Sequence, residues 1–271
     1  MTQGQIDLVT TPELAGLDLS IDGGVARITM ARGAAGNPLT VESTHGLLAA
    51  MRWAAEVRAR VVVIASDGPA WCVGGDLKAF AAEPTGADRA AYIDELAEVL
   101  HRLVSEIVRH DAIVVAAVDG AAAGAGMPLA CAADLVVATD RARFTLGYTK
   151  IGLTPDGGSS MLATTVGLHT ALRLALLNPV LSANDAQGLG LVTEVVAPEA
   201  LSSTVDALAA RLAAGPPAAQ AATKHLIRDQ VAHDAEAALR RETLSVRRAA
   251  ATDEAAEGIT AFLDKRPPSY S

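Results

Sequence analysis

Aromatic residues are scarce. Phe, Trp and Tyr make up 3% of 271 residues, whereas hydrophobic residues reach 51%, so alanine, valine and leucine must fill the core. Cysteine is nearly absent: Cys72 and Cys131 stand alone with no metal or redox spacing, and are expected as buried, reduced thiols. Basic residues are outnumbered, 22 against 31 acidic, for a net charge of −9 and a pI of about 5.1. That balance argues against nucleic acid or an anionic membrane as a partner. The most apolar stretch, Ala112 to Ala133, is broken by Asp119, several glycines and Pro128, so no membrane-spanning helix is expected. The first residues, with Asp7 and Glu13, lack the basic-then-apolar order of a signal peptide, and the expected location is the cytoplasm. The six histidines include no HExxH, and there is no GxSxG elbow, Walker loop or dinucleotide GxGxxG. Hydrolase, NTPase and Rossmann readings therefore have little support, and no metal is expected.

What is present is an α/β pattern. Leu17 to Met30 alternates apolar and polar residues around Asp22-Gly23-Gly24, predicting a hairpin. Val41 to Arg58 reads as an amphipathic helix, and Arg60 to Ser66, with Val61-Val62-Val63-Ile64, as a buried strand. A helix over Arg89 to Arg109 then precedes two more buried strands, Ile113 to Val118 and Asp134 to Ala138. This order fits repeated β-β-α turns or crossovers between parallel strands. After Gly152 the pattern is mainly helical, interrupted at Gly215-Pro216-Pro217.

Two small-residue turns follow the buried strands: Trp71-Cys72-Val73-Gly74-Gly75-Asp76-Leu77-Lys78, and Asp119 to Gly126 with Gly124 and Ala125 at its end. Such turns let backbone N–H groups approach a ligand, and two convergent donors make an oxyanion hole. Either turn alone reads more simply as tight strand-to-helix packing. Together, the turns and their neighbours resemble the crotonase (enoyl-CoA hydratase/isomerase) family. Arg27 to Arg32 through Asn37-Pro38-Leu39 is similar to its first-hairpin motif, Trp71 to Lys78 to its F-x-x-G-x-D-L-K segment, Val118 to Asp134 to its central glycine-rich turn, and Thr252 to Arg266 to its C-terminal motif.

The resemblance implies a spiral of β-β-α units over residues 1–200 and a helical C-terminal region, 201–271, that builds a homotrimer or a dimer of trimers. It implies an acyl-CoA thioester as ligand, with no separate cofactor. The backbone N–H groups of Gly75 and Ala125 would be the oxyanion donors, and Val73, Gly74, Leu77 and Gly124 would line the ligand site. Ala34 and Gly36 would lie near the CoA arm, although Ala34 replaces a basic residue common among relatives. Phe262 and Lys265 would approach CoA from the C-terminal region, Lys265 alternatively being a solvated lysine. Lys78 faces either ligand or solvent, and Asp76 is expected foremost as a helix cap.

A hydratase of this family needs two glutamates, one to activate water and one to share the proton work. In register, those places are taken here by Pro128, which has nothing to ionise, and Tyr148, a catalytic candidate that could orient water or donate a hydrogen bond but is a poor base at neutral pH. The acidic candidate is Asp156, in Pro155-Asp156-Gly157-Gly158-Ser159, which resembles the P-D-x-G-G-[ST] version of the family's isomerases. One carboxylate suffices for an isomerase because the same group removes a proton and returns it elsewhere. Asp156 equally suits a turn and helix cap. Double-bond isomerisation is the leading reading; non-catalytic acyl-CoA binding and weak hydratase or lyase activity stand as alternatives.

Overall fold

The computed structural model describes residues 10–231 and 235–270. Asp7, within the stretch read for a leader, lies outside them. In chain order the elements are β1 (Leu17–Asp22), β2 (Val25–Met30), α1 (Val41–Glu56), β3 (Val61–Ser66), β4 (Ala70–Cys72), α2 (Leu77–Ala82), α3 (Gly86–Arg109), β5 (Ile113–Val118), β6 (Ala121–Ala123), α4 (Gly126–Ala132), β7 (Leu135–Thr139) and β8 (Arg143–Thr145). There follow α5 (Leu162–Val166), α6 (Leu168–Leu177), β9 (Leu181–Ser182), α7 (Ala183–Gly188), β10 (Glu194–Val196), α8 (Leu201–Ala213), α9 (Pro217–Val231), α10 (Ala235–Ala250) and α11 (Asp253–Leu263).

The predicted hairpin is β1–β2, with Asp22 paired to Val25 across the Gly23-Gly24 turn. From β2 onward the main sheet runs parallel, in the order β1-β2-β3-β5-β7-β10. Each of β3, β5 and β7 is followed by a three-residue strand, β4, β6 or β8, and these short strands pair in parallel to form a second sheet, closed by antiparallel β9. A strand in one sheet, a short strand in the other and a return through helix make one turn of a spiral. The sequence left β-β-α repeats and simple crossovers open; the paired short strands decide for the repeats.

The short strands also put the two turns side by side. Because β4 and β6 are neighbours, the residues leaving them, Val73 to Asp76 and Gly124 to Gly126, emerge at the same place. Ile113 to Val118 is buried along its whole length, as its unbroken apolar run requires. One face of the sheet packs on Trp53, Trp71, Leu100, Leu103 and Phe144; the other is covered by α8 through Val205, Ala209 and Ala213. Hence α8, inside the segment expected as a C-terminal region, contributes directly to the sheet's packing. Helix α3 begins at Gly86, three residues before the predicted start, because the Thr85 hydroxyl accepts the Asp88 N–H and caps it. Arg89, at the first turn of α3, is buried and donates to the Ala250 and Thr252 carbonyls, tying α3 to the end of α10. Cys72 is buried; Cys131 is half-buried as a residue, yet burial of its thiol pushes it up to about 12, so both thiols sit out of water as expected, and both are free. Among the described residues no helix is long and apolar enough to cross a membrane.

Candidate active site

The first turn is held from three directions. The Leu39 N–H donates to the Gly74 carbonyl at 2.8 Å, the Asp76 N–H to the Leu39 carbonyl at 3.1 Å, and the Val73 N–H to the Gly36 carbonyl at 3.0 Å. Asp76 caps α2, its carboxylate accepting the Lys78 and Ala79 N–H groups, as predicted. Gly74 has a φ of +87°, and a Cβ there would lie 2.8 Å from the Ala123 carbonyl oxygen and 3.0 Å from the Ala125 nitrogen. Only glycine lets the backbones of the two turns touch in this way.

The amides of Gly75 and Ala125 consequently stand in neighbouring backbone. Neither donates to an acceptor among the described residues, since the bridge between Leu39 and Gly75 uses the flanking groups and Ala125 precedes the first helical residue of α4. Ala125 is buried and Gly75 half-buried, and an N–H left without a protein partner at such a place is open to an acceptor from a ligand. Two of them on adjacent turns amount to a ready seat for an oxygen that gains negative charge.

Both turns open into a cavity of about 220 Å³ lined by Val73, Gly75, Leu77, Phe80, Gly124, Ala125, Leu146, Tyr148, Lys150, Ile151, Leu153, Val180 and Phe262, among others. Its walls are mostly apolar. It is smaller than most ligand sites, which measure about 300–1,000 Å³, so it takes part of a ligand rather than the whole of one. A larger cavity, about 610 Å³, sits at the opposite ends of β3 and β5 beside Arg60 and Ala112 and includes neither turn. Phe80, Leu146, Lys150, Ile151, Leu153 and Val180 were not singled out from sequence; Phe80 comes from α2, Leu146 from just after β8, Lys150 and Ile151 from the 3-10 turn Tyr148–Ile151, Leu153 from just beyond it and Val180 from just before β9.

The other predicted residues are placed as follows. Gly36 touches the first turn, since a Cβ on it would meet Val73 at 2.8 Å. Ala34 is exposed on the 3-10 turn Gly33–Ala35, and Lys78 is exposed on α2. Phe262, 61% exposed, forms part of the cavity wall from the end of α11, whereas Lys265, just past that helix, is exposed and not part of the wall. Pro128 is buried in the first turn of α4.

Asp156 departs from one of its two expected roles. No side chain caps the following 3-10 turn, Ser159–Met161. The main-chain carbonyl of Asp156 holds that turn, accepting the Ser159 hydroxyl at 2.6 Å and its N–H at 3.2 Å. The carboxylate is thus free of capping, and it accepts the Tyr148 hydroxyl at 2.5 Å. Asp156 is 8% exposed, and burial, with a further push from Glu242, raises its pKa from 3.8 to about 7 against the opposing hydrogen bond from Tyr148. Burial and the adjacent Asp156 hold the Tyr148 phenol well above its ordinary value, so it stays protonated. Asp156 is not itself part of the cavity wall; the wall residue that contacts it is Tyr148. A carboxylate poised near neutrality behind a protonated phenol is equipped to hold or release one proton.

A spiral of β-β-α units whose first two complete turns offer free amides to one apolar cavity defines the crotonase class of fold. The comparisons agree. The sequence model of the enoyl-CoA hydratase/isomerase family matches residues 20–271, and the chain belongs to that family of acyl-CoA enzymes. A Rhodobacter capsulatus protein named as a probable enoyl-CoA hydratase is 37% identical over 252 residues, 93% of this chain and 96% of the relative. The Escherichia coli 1,2-epoxyphenylacetyl-CoA isomerase is 33% identical over 215 residues, 78% and 81% of the two chains. The crystal structure of an enoyl-CoA hydratase from Mycobacterium avium subsp. paratuberculosis superposes with a TM-score of 0.87 at 36% identity, covering 96% of this chain and all of that one. Hydratases and isomerases thus both stand among the relatives.

Proposed function

We propose that this enzyme moves a double bond along an unsaturated acyl-CoA. The thioester carbonyl oxygen sits between the Gly75 and Ala125 N–H groups, and Asp156 with Tyr148 carries the proton. Proton loss from carbon sends the C–H electrons toward the thioester oxygen, and each oxyanion donor is worth roughly 3 to 4 kcal/mol to that enolate in comparable sites. Returning the proton at the vinylogous carbon collapses the enolate and shifts the double bond. Since Tyr148 separates the cavity from Asp156, the phenol oxygen takes the substrate proton as its own passes to the carboxylate, and the reverse transfer completes the cycle.

The observation that carries this reading is the buried hydrogen bond from Tyr148, which stands at one of the two places where a hydratase has a glutamate, to the carboxylate of Asp156. Val73, Gly74, Leu77, Gly124 and Phe262 shape the acyl site, while Gly36, Ala34, Lys78 and Lys265 lie outward, toward the CoA arm. The burial of Asp156 favours one competing reading, an acyl-CoA-binding protein without catalysis. The assay is isomerisation of 3-enoyl-CoA substrates of graded length, with Asp156→Asn as the key variant. Loss of double-bond migration with acyl-CoA affinity retained supports the proposal. Wild-type binding with no isomerisation selects the binding-only reading, and undiminished turnover by Asp156→Asn rejects the role of Asp156.

The assembly we infer is a homotrimer or a pair of trimers. Leu168, Leu172 and Leu176 repeat at helical spacing on α6 and are 45–64% exposed, an apolar stripe that lacks cover in the single chain. Light scattering after gel filtration tests it, a monomeric mass being the contrary result.

A further inference from the structure

Glu242 lies on α10, more than eighty residues from Asp156 in sequence, and is 6% exposed. Its Oε2 accepts the Gly158 N–H at 2.7 Å and its Oε1 accepts the Ser160 N–H at 2.7 Å. Both amides belong to the turn that begins at Asp156. Within it Gly157 and Gly158 have φ values of +66° and +91°. Backbone of this kind gathers N–H groups into a concave seat for an anion. Here a carboxylate from the chain's own α10 fills the seat.

The arrangement is expensive for stability alone. Glu242 and Asp156 are two buried acids meeting at one turn, and the charge of Glu242 disfavours ionisation of Asp156. A neutral acceptor on α10 would satisfy an amide without that repulsion. On its other faces the turn is equally confined: a Cβ on Gly157 would lie 2.9 Å from Leu100 of α3, and Tyr148 bonds the Asp156 carboxylate.

Building on the proton-shuttle reading above, we propose that Glu242 is a positioning residue: its bidentate hold on the Gly158 and Ser160 amides fixes the turn and aims the Asp156 carboxylate at Tyr148. Helix α10 itself is anchored on α3, through Arg240 with Glu98 and Arg247 with Asp94. The C-terminal helices thereby reach the proton-transfer pair without touching substrate. The titratable groups acting on Asp156 are Tyr148 from the 3-10 turn and Glu242 itself, and the one acting on Glu242 is His101 from α3.

The test is Glu242→Gln and Glu242→Ala in the full-length protein. Glutamine keeps the shape and one acceptor oxygen; alanine keeps neither. A displacement of about 1 Å at a reacting group can cost about 100-fold in rate, so kcat is expected to fall at least about tenfold in the glutamine variant and further in alanine, with KM within about twofold. The titration midpoint of Asp156, read from its 13C-carboxyl resonance, should move to lower pH once the neighbouring charge is gone. Wild-type kcat together with an unmoved Asp156 midpoint in Glu242→Gln overturns the proposal. Because the carboxyl titration needs no turnover, it still decides the role of Glu242 if the isomerase reading itself fails. Should both variants fold poorly, hydrogen exchange in the wild type decides: slow exchange at the Gly158 and Ser160 amides supports the clamp, and exchange as fast as in open loops refutes it.

Discussion

Asp156→Asn should make the protein more stable, by an amount that grows with pH. The native carboxyl has a pKa of about 7 against an ordinary 3.8, because burial penalises its charge more than the Tyr148 hydroxyl relieves it. The folded protein therefore holds the proton more tightly than the unfolded chain between these values. Stability from this group is fully present below about pH 4, declines as pH rises, and is gone above about pH 7. A difference of about three in pKa corresponds to about 4 kcal/mol, which is the cost of folding with Asp156 ionised. Asparagine keeps an acceptor for Tyr148 and carries no charge, so it avoids that cost. Relief of Glu242, also buried and also pushed upward, acts in the same direction. Urea denaturation of both proteins at one fixed concentration, from about pH 5 to about pH 8, should show the variant pulling ahead by a few kcal/mol. A difference that is flat with pH, or that narrows toward alkaline pH, would refute the claim that this carboxylate is ionised at a penalty.

The remaining predictions concern the frame around it. Gly74→Ala forces a side chain at φ +87° against the backbone of the second turn; it should lose about 1–3 kcal/mol in denaturant melts and most acyl-CoA affinity by calorimetry. Phe262→Ala trims an exposed wall residue, so KM for acyl-CoA should rise while the denaturation midpoint barely moves. Asp76→Ala removes the cap of α2 and should cost about 1 kcal/mol, measured the same way. The Cys72 thiol, pushed up to about 12 by burial, should resist iodoacetamide at neutral pH in the native protein and react once it is unfolded, as counted by mass spectrometry.

Much of the fold was legible because long elements carry a period. The β1–β2 hairpin, α1 and the runs in β3 and β5 declare themselves by alternation, helical spacing or unbroken β-branched residues. The three-residue strands did not. Trp71-Cys72 and Ala121 to Ala123 are too short to alternate, and they become strands only by pairing with one another across about fifty residues. Their absence from the sequence reading left the repeat unsettled. The site divides similarly. Glycine-rich turns and the Pro-Asp-Gly-Gly segment are local signals, and the structure brings the two turns to one cavity and Asp156 to Tyr148 in its wall. Glu242 and Lys150 carry no such signal, since their positions depend on how α10 and the turn at Tyr148–Ile151 fold back.

The Tyr148–Asp156 contact is where local and distant information meet. Each residue was visible separately, the tyrosine as a lost glutamate and the aspartate as a turn residue with a second possible use. What sequence could not supply is that they share a hydrogen bond, eight positions apart and buried together. That bond changes the chemistry assigned to each. Alone, the phenol is too weak a base and the carboxylate too far behind the wall. Joined, they place a proton acceptor near neutrality one hydrogen bond from the apolar cavity, whose wall includes no acid among the described residues. Under the proposed function, such a site moves one proton between carbons rather than adding water across them.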